Sequence, residues 1–518
     1  MRTKTAYALL GALWLFTGGI FAVPVAHGAS DVLVIGKAED PRTLDPAVTM
    51  ANNAWTVTYP VYQRLVRYQT KDGKGLTTVE GELAKSWTVS PDGLVWTFTL
   101  RGGQKFDDGT PVTAQAVKFS FDRLLAIKQG PADAFPSLVS IDASNDTTVK
   151  FTLSKPFAPF LYTLANDGAA IVNPKIAAHA KNGDRAQGWL SVHSAGSGAY
   201  RVASWEKGQN IVLEPNPYYG ETKPAFSKVI FKMIGEASAR RLQLESGDID
   251  IAENLPNDQL DALQKTPGVR VGEYPSLSVT YLYLNNKKGA LANRDVREAI
   301  SYAIDYKGII DGILSGQAEQ MRGPIPDGMW GHDKTVHQFS HDVAKAKALL
   351  KKSGVSVSKL GYLYATRDPN WEPIGLAVQA NLADIGIKVD MENLAYATMR
   401  DRLGKGDFDI AIGNWAPDFS DPYMYMNYWF DSARLGLPGN RAFYVNPKVD
   451  KLIRKAATLT KQSDRLALYQ KAQKIVVADA AYVYLFQKNA RVAMRTNLKG
   501  FVYNPMLDEI YNIATMHK

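Results

Sequence analysis

The chain has 518 residues, 46% hydrophobic and 21% charged, which excludes a disordered polymer and a multi-span membrane protein; at roughly 100–200 residues per domain it predicts about three domains. Sixty Lys and Arg against 51 Asp and Glu give +9, but the charges are scattered, without the basic block or helical stripe that holds nucleic acid. The absence of cysteine removes disulfides, thiolate metal sites, iron–sulfur clusters, thiol nucleophiles and a lipoprotein anchor.

Arg2 and Lys4 precede an apolar run over 6–25, and Ala26-His27-Gly28 supplies small residues for a cleavage site. A membrane anchor competes, since about twenty apolar residues span a bilayer. Gly18-Gly19 and Pro24 interrupt the run, and the small-residue exit favours a signal peptide over 1–28, removed on export. The mature protein is then expected in the periplasm, not lipid-anchored.

Strands and turns follow. Residues 32–35 form a short apolar strand, and Trp96, Phe98 and Leu100 alternate with Val95, Thr97 and Thr99 after the Asp92-Gly93 turn. Asp108-Gly109-Thr110-Pro111 leads into a helix carrying Val117, Phe121, Leu124 and Leu125. Val149, Phe151 and Leu153 alternate again, and strands over 211–213, 229–234 and 279–284 follow. Past about residue 290, helical spacing takes over: Val296, Ile300, Ala303 and Ile304, then Ile310, Ile313 and Leu314. Further helices are predicted over 342–353, stopped by Gly354, and over 373–385, closed by Gly386. Strands over 387–391 and 408–412 come next, and then a helix capped by Ser463. The fold class is mixed α/β, β-rich in the first half and α/β in the second.

Six histidines lie beyond the leader: His179, His193, His332, His337, His341 and His517. No zinc-protease, nucleophile-elbow or phosphate-loop sequence accompanies them. His337 and His341 share a face if helical, but Gly331, Asp333, Lys334 and Gln338 around them describe a solvated stretch. No metal site and no cofactor is expected. Trp415-Ala416-Pro417-Asp418-Phe419-Ser420-Asp421-Pro422 is more informative, because it leaves the end of a predicted strand, where α/β proteins place ligands. Tyr423, Tyr425, Tyr428, Trp429 and Phe430 crowd around it. A carboxylate among aromatic walls suits an ammonium group; a turn with a capping Asp above a core of aromatics suits the same letters. Chemistry alone leaves both open. A glycosidase pair is disfavoured, since Asp418 and Asp421 lie three apart on one loop.

Several segments together resemble a known family. They are Glu82-Leu83-Ala84-Lys85-Ser86-Trp87, Ser90-Pro91-Asp92-Gly93, Phe106-Asp107-Asp108-Gly109-Thr110-Pro111, Gly196-Ser197-Gly198-Ala199-Tyr200-Arg201, Asn216-Pro217-Tyr218-Tyr219, Ser246-Gly247-Asp248-Ile249-Asp250 and Asp295-Val296-Arg297-Glu298-Ala299-Ile300. In this order they resemble the solute-binding proteins of peptide and nickel ABC importers, the dipeptide- and oligopeptide-binding type of family 5. The resemblance implies a periplasmic binding protein-like fold, two lobes joined by a hinge plus an inserted domain. Domain I comprises 29–72, 198–290 and 492–518. Domain II, over 73–197, packs mainly on domain I, and domain III spans 291–491. A peptide is enclosed between domains I and III, and an inner-membrane ABC permease is the partner of a monomeric, non-enzymatic carrier. Asp418, in a Trp-x-x-Asp loop with Trp415, matches the residue that pairs with a peptide's α-ammonium, with Pro417 a departure from some members. Arg367, before Ile385-Gly386, matches a carboxylate clamp unless Asp368 neutralises it, and Tyr425 and Trp429 offer walls. The same scaffold also suits a nickel chelate, an opine or an oligosaccharide; a periplasmic hydrolase is the distant alternative.

Overall fold

The first-half strands pair as their alternation demands. The computed structural model describes residues 31–508 and 510–518; the predicted signal peptide lies outside them. In chain order the strands are β1 (Val32–Lys37), β2 (Val66–Lys71), β3 (Lys74–Gly81), β4 (Ala84–Val89), β5 (Val95–Leu100), β6 (Leu138–Asp142), β7 (Thr148–Leu153), β8 (Tyr200–Glu206), β9 (Asn210–Pro215), β10 (Lys228–Met233), β11 (Ile251–Ala252), β12 (Val269–Leu284), β13 (Ala318–Gln320), β14 (Lys359–Tyr364), β15 (Lys388–Asn393), β16 (Ile410–Trp415) and β17 (Tyr482–Arg495).

β4-β5-β7-β6 form a four-stranded sheet. Trp96, Phe98 and Leu100 of β5 point inward with Phe151 and the helix Ala114–Ile127, whose Phe121 meets Phe151 edge-on at 5.0 Å. Thr113 caps that helix by accepting from the Ala116 amide, and Lys128 ends it in the left-handed region at φ 55°. β2 and β3 make a separate hairpin.

The remaining strands form one large sheet in the order β15-β14-β16-β12-β17-β11-β1-β10-β9-β8, with β13 paired onto β17. Its two ends serve different cores. Leu33, Ile35, Ile211, Leu213, Val229 and Phe231 pack with the C-terminal Tyr511, Ile513 and Met516. Tyr362, Leu363, Ile410 and Ile412 belong to a larger core built from residues 277–486. β12 and β17 are long enough to run from one to the other. Val269 packs with Leu244 and Leu263, whereas Leu277 to Leu284 join the large core. Between these halves the β12–β17 register breaks from Pro275 to Val279, at a residue that has no N–H to give the ladder.

The glycines of the 196–201 motif have a steric cause. Gly198 N–H donates to the Val61 carbonyl at 2.8 Å, and a Cβ on Gly196 or Gly198 would collide with the backbone of Pro60 and Val61. Only glycine permits that approach.

Several expectations shift. The helix foreseen over 373–385 is Trp371–Ala383, with Pro373 in its first turn, where a missing N–H is harmless. Ser463 is not a cap: the helix Gln462–Ala478 starts before it, after Lys461. His337 and His341 precede the helix Val343–Ser353 rather than share one. His337 Nε2 is bonded to the Tyr302 hydroxyl at 2.8 Å and His332 Nδ1 to the Ile325 carbonyl at 2.8 Å, and no metal-ligating group of three forms among the described residues. Residues 157–162, in the segment expected to pack mainly on domain I, also pack on the large core: Phe157 meets Tyr423 edge-on at 5.3 Å, and Ala158 N–H donates to Ala457.

Candidate functional site: a carboxylate-lined cleft

β14 and β16 lie side by side and parallel, with Tyr362 opposite Ile410, so the loops at their carboxyl ends leave one edge of the sheet. Trp415 is the last residue of β16, opposite Val279 of β12, and the acidic loop follows it into the helix Tyr423–Phe430. Three groups fix this loop. Asp421 is fully buried and takes a two-pronged ion pair from Arg465, at 2.6 and 2.7 Å, and the Tyr423 amide. Burial raises its pKa, and Arg465 opposes the shift. Ser420 donates to the Thr77 carbonyl of β3, and Trp330 Nε1 donates to the Ser420 carbonyl at 2.9 Å.

Asp418 is held differently. Its carbonyl accepts from Asn166 Nδ2 at 2.9 Å, but its carboxylate has no hydrogen bond or ion pair among the described residues. The side chain is open to solvent along the cleft, yet the protein around it raises its pKa by desolvation. With Ala416 and Pro417 it lines a cavity of about 180 Å³, shared with Trp55, Tyr68 and Asp508. Among the described residues no Lys, Arg or His lines that cavity. A third lining carboxylate, Asp167, is already spent on Arg64 at 3.0 Å and on the Thr58 hydroxyl. The cavity therefore carries net negative potential with no internal counter-charge.

The other expected residues lie apart from it. Trp415 is half-buried, stacked on Tyr428 at 4.8 Å, with its Nε1 unpartnered. Tyr425 and Trp429, expected as walls, lie instead beneath the loop, because their i, i+4 spacing turns both to the core. The Tyr425 hydroxyl donates to the Leu277 carbonyl of β12 at 2.9 Å, and Trp429 stacks on Tyr482 of β17 at 5.4 Å. These aromatics tie the loop to the two long strands. Arg367 leaves the carboxyl end of β14, exposed, with its guanidinium 4.6 Å from the Tyr396 ring and no ion pair. Asp368 does not neutralise it, since Asp368 bonds Lys488 of β17 at 2.9 Å. The sequence reading missed Trp55, Tyr68 and Asp508, which reach the cavity from distant parts of the chain.

Residues 78–436 match the middle region of the bacterial extracellular solute-binding proteins, family 5. Over 498 residues, 96% of each chain, the sequence is 61% identical to a protein of Escherichia coli K12 named probable D,D-dipeptide-binding periplasmic protein DdpA. Among solved structures, the unliganded open form of the murein tripeptide-binding protein MppA aligns with TM-score 0.83 at 27% identity, over 94% of this chain and 97% of that one. The Helicobacter pylori periplasmic binding protein DppA, in complex with the peptide STSA, aligns with TM-score 0.73 at 29% identity, over 94% and 98%. No helix among the described residues is long and apolar enough to cross a membrane. With these likenesses along nearly its whole length, the chain belongs to the family 5 bacterial extracellular solute-binding proteins and has their periplasmic binding protein-like α/β fold.

Proposed function

We propose that the protein captures short peptides with a free amino terminus in the periplasm and hands them to an inner-membrane ABC permease, as a monomeric carrier that performs no chemistry. The observation that carries this is the Asp418 carboxylate: without a hydrogen bond or ion pair among the described residues, desolvated, and on a cavity whose described lining holds no cation, while Lys155 and Arg434 line a second cavity on its other side. A peptide's α-ammonium supplies the missing charge, and hydrogen bonds to charged groups contribute roughly 1.5–3 kcal/mol. Trp55 and Tyr68, on the same cavity, give it aromatic faces. The cavity's 180 Å³ equals about six water volumes at ~30 Å³ each, which favours a dipeptide with small side chains.

In this reading domain I (29–72, 198–290, 492–518) and domain III (291–491) are the closing lobes and 73–197 the inserted domain; the separate cores at the two ends of the large sheet support the division. Arg367 is the proposed partner of the peptide carboxylate, supported by its freedom from Asp368 and its place beyond the strand adjacent to β16. The name of the Escherichia coli relative makes a D,D-dipeptide the first ligand to try.

A thermal-shift series tests the reading. D-Ala-D-Ala or L-Ala-L-Ala is expected to raise the melting temperature, while a nickel chelate, an opine and an oligosaccharide leave it unchanged. A shift with one of the non-peptide solutes alone overturns the peptide assignment and leaves the family fold intact.

A further inference from the structure

Asp508 lines the same cavity as Asp418. It follows a turn in which the Leu507 and Asp508 amides donate to the Asn504 carbonyl at 2.9 and 3.0 Å. Leu507 and Ile510 are buried with the first-half core, and Tyr511 and Ile513 with the core of β1 and β8–β10. The Asp418 loop instead packs on the core of residues 277–486 through Phe419 and Met424. Asp418 and Asp508 both line the 180 Å³ cavity.

Asp508 is no better compensated than Asp418. Among the described residues its carboxylate has one hydrogen-bond partner, the Tyr503 hydroxyl, at 3.2 Å. On its other side it borders a second cavity, of about 200 Å³, whose one lining cation is Arg491. Arg491 is committed to Asp261 at 2.7 Å and Glu273 at 3.1 Å. Glu253 of that cavity is committed to Lys37 at 2.7 Å. Asp508, like Asp418, is exposed, yet desolvation by the surrounding protein raises the pKa of both.

We propose that Asp508 is a second ligand contact, and that Asp418 and Asp508 hold one ammonium group from opposite lobes, so that closure depends on a cationic ligand. The proposal rests on the peptide-binding reading. Two carboxylates drawn together in a cleft that is losing water repel each other, which opposes closure of the empty protein. An ammonium between them converts that repulsion into two attractions. A ligand of the same shape without the positive charge leaves the repulsion in place and is rejected.

Calorimetry with Ala-Ala and N-acetyl-Ala-Ala on the wild type, Asp418→Asn and Asp508→Asn tests this. Asp508 sits at φ 46°, a conformation that Asn and Gly accept readily, so Asp508→Asn and Asp508→Gly both keep the turn. Each is expected to weaken Ala-Ala about tenfold or more, to bind the acetylated peptide as well as or better than the wild type does, because the repulsion is relieved, and to melt like the wild type without ligand. Wild-type affinity for Ala-Ala in both Asp508 variants, with Asp418→Asn impaired, overturns the proposal and spares the peptide-binding reading. An equal loss for both peptides also overturns it, since that is damage to shape rather than to charge. Unchanged binding in all three variants removes the reading itself.

Discussion

Asp418 and Asp421 stand three residues apart on one loop and meet opposite fates. Asp421 is enclosed and saturated by Arg465, whereas Asp418 is left without a partner at the cavity. Removing one member of a buried pair strands the other charge, at a cost of about 3–5 kcal/mol. Asp421→Asn is therefore expected to lower the melting temperature of the unliganded protein by several degrees, while Asp418→Asn melts like the wild type; equal melting of the two variants contradicts the assignment of roles. The sequence left a capping turn and an ammonium site as rival readings of this loop; Asp421 accepts the Tyr423 amide at the start of the helix, and the ammonium role is the one proposed for Asp418. Asp508 was illegible because its meaning comes from what lies across the cleft, not from its neighbours in sequence. Asp107 supplies a separate signature. Burial, and then the neighbouring Asp108, raise its pKa from 3.8 to about 6. The folded protein then keeps a proton between pH 4 and 6 that the unfolded chain has lost, so this group's stabilisation is full below about pH 4 and fades as pH rises through 6. Asp107→Asn is expected to flatten the melting profile over that window and to raise the melting temperature at pH 7; because the side chain is only half-buried, solvent screens part of the effect. An unchanged profile refutes the shift.

Among the elements, what repeats was legible and what crosses was not. The alternation of β5 and β7 and the glycine stops at Gly354 and Gly386 predicted strands and helix ends closely, because each depends on local geometry. β12 was foreseen only as 279–284. Its first half reads Val269-Arg270-Val271-Gly272-Glu273-Tyr274-Pro275, half-buried and polar, and is a strand only because β17 pairs with it. The letters of the helix Tyr423–Phe430 suit ligand walls and a buried core alike; the i, i+4 pair Tyr425 and Trp429 marks a face that the structure buries. At the register break, Gln487 of β17 donates to the Ser276 carbonyl at 2.6 Å and the Asp327 carbonyl at 2.9 Å, and accepts from the Asp327 amide at 2.9 Å. Gln487→Leu removes all three bonds and leaves the buried Ser276 carbonyl unpaired, at about 1–3 kcal/mol. It is expected to lower the melting temperature and to change the affinity for peptide through the crossing strands, without touching the cavity; a variant with wild-type melting and affinity denies the crossing that role.

At the scale of the molecule, the proposed function carries with it a rotation of the lobes that encloses the ligand, since domain closure is a standard route to enclosing one. Small-angle scattering is expected to show a smaller radius of gyration with Ala-Ala than without. The most direct test of the account is calorimetric titration of the wild-type protein with D-Ala-D-Ala, or with L-Ala-L-Ala should the D,D form prove inert, beside its N-acetylated form at equal concentration. The account predicts saturable binding of the free-amine peptide and at least a tenfold loss on acetylation, about 1.4 kcal/mol or more. Equal affinity for the two forms would contradict it, because the unpaired carboxylate at Asp418 would then recognise nothing.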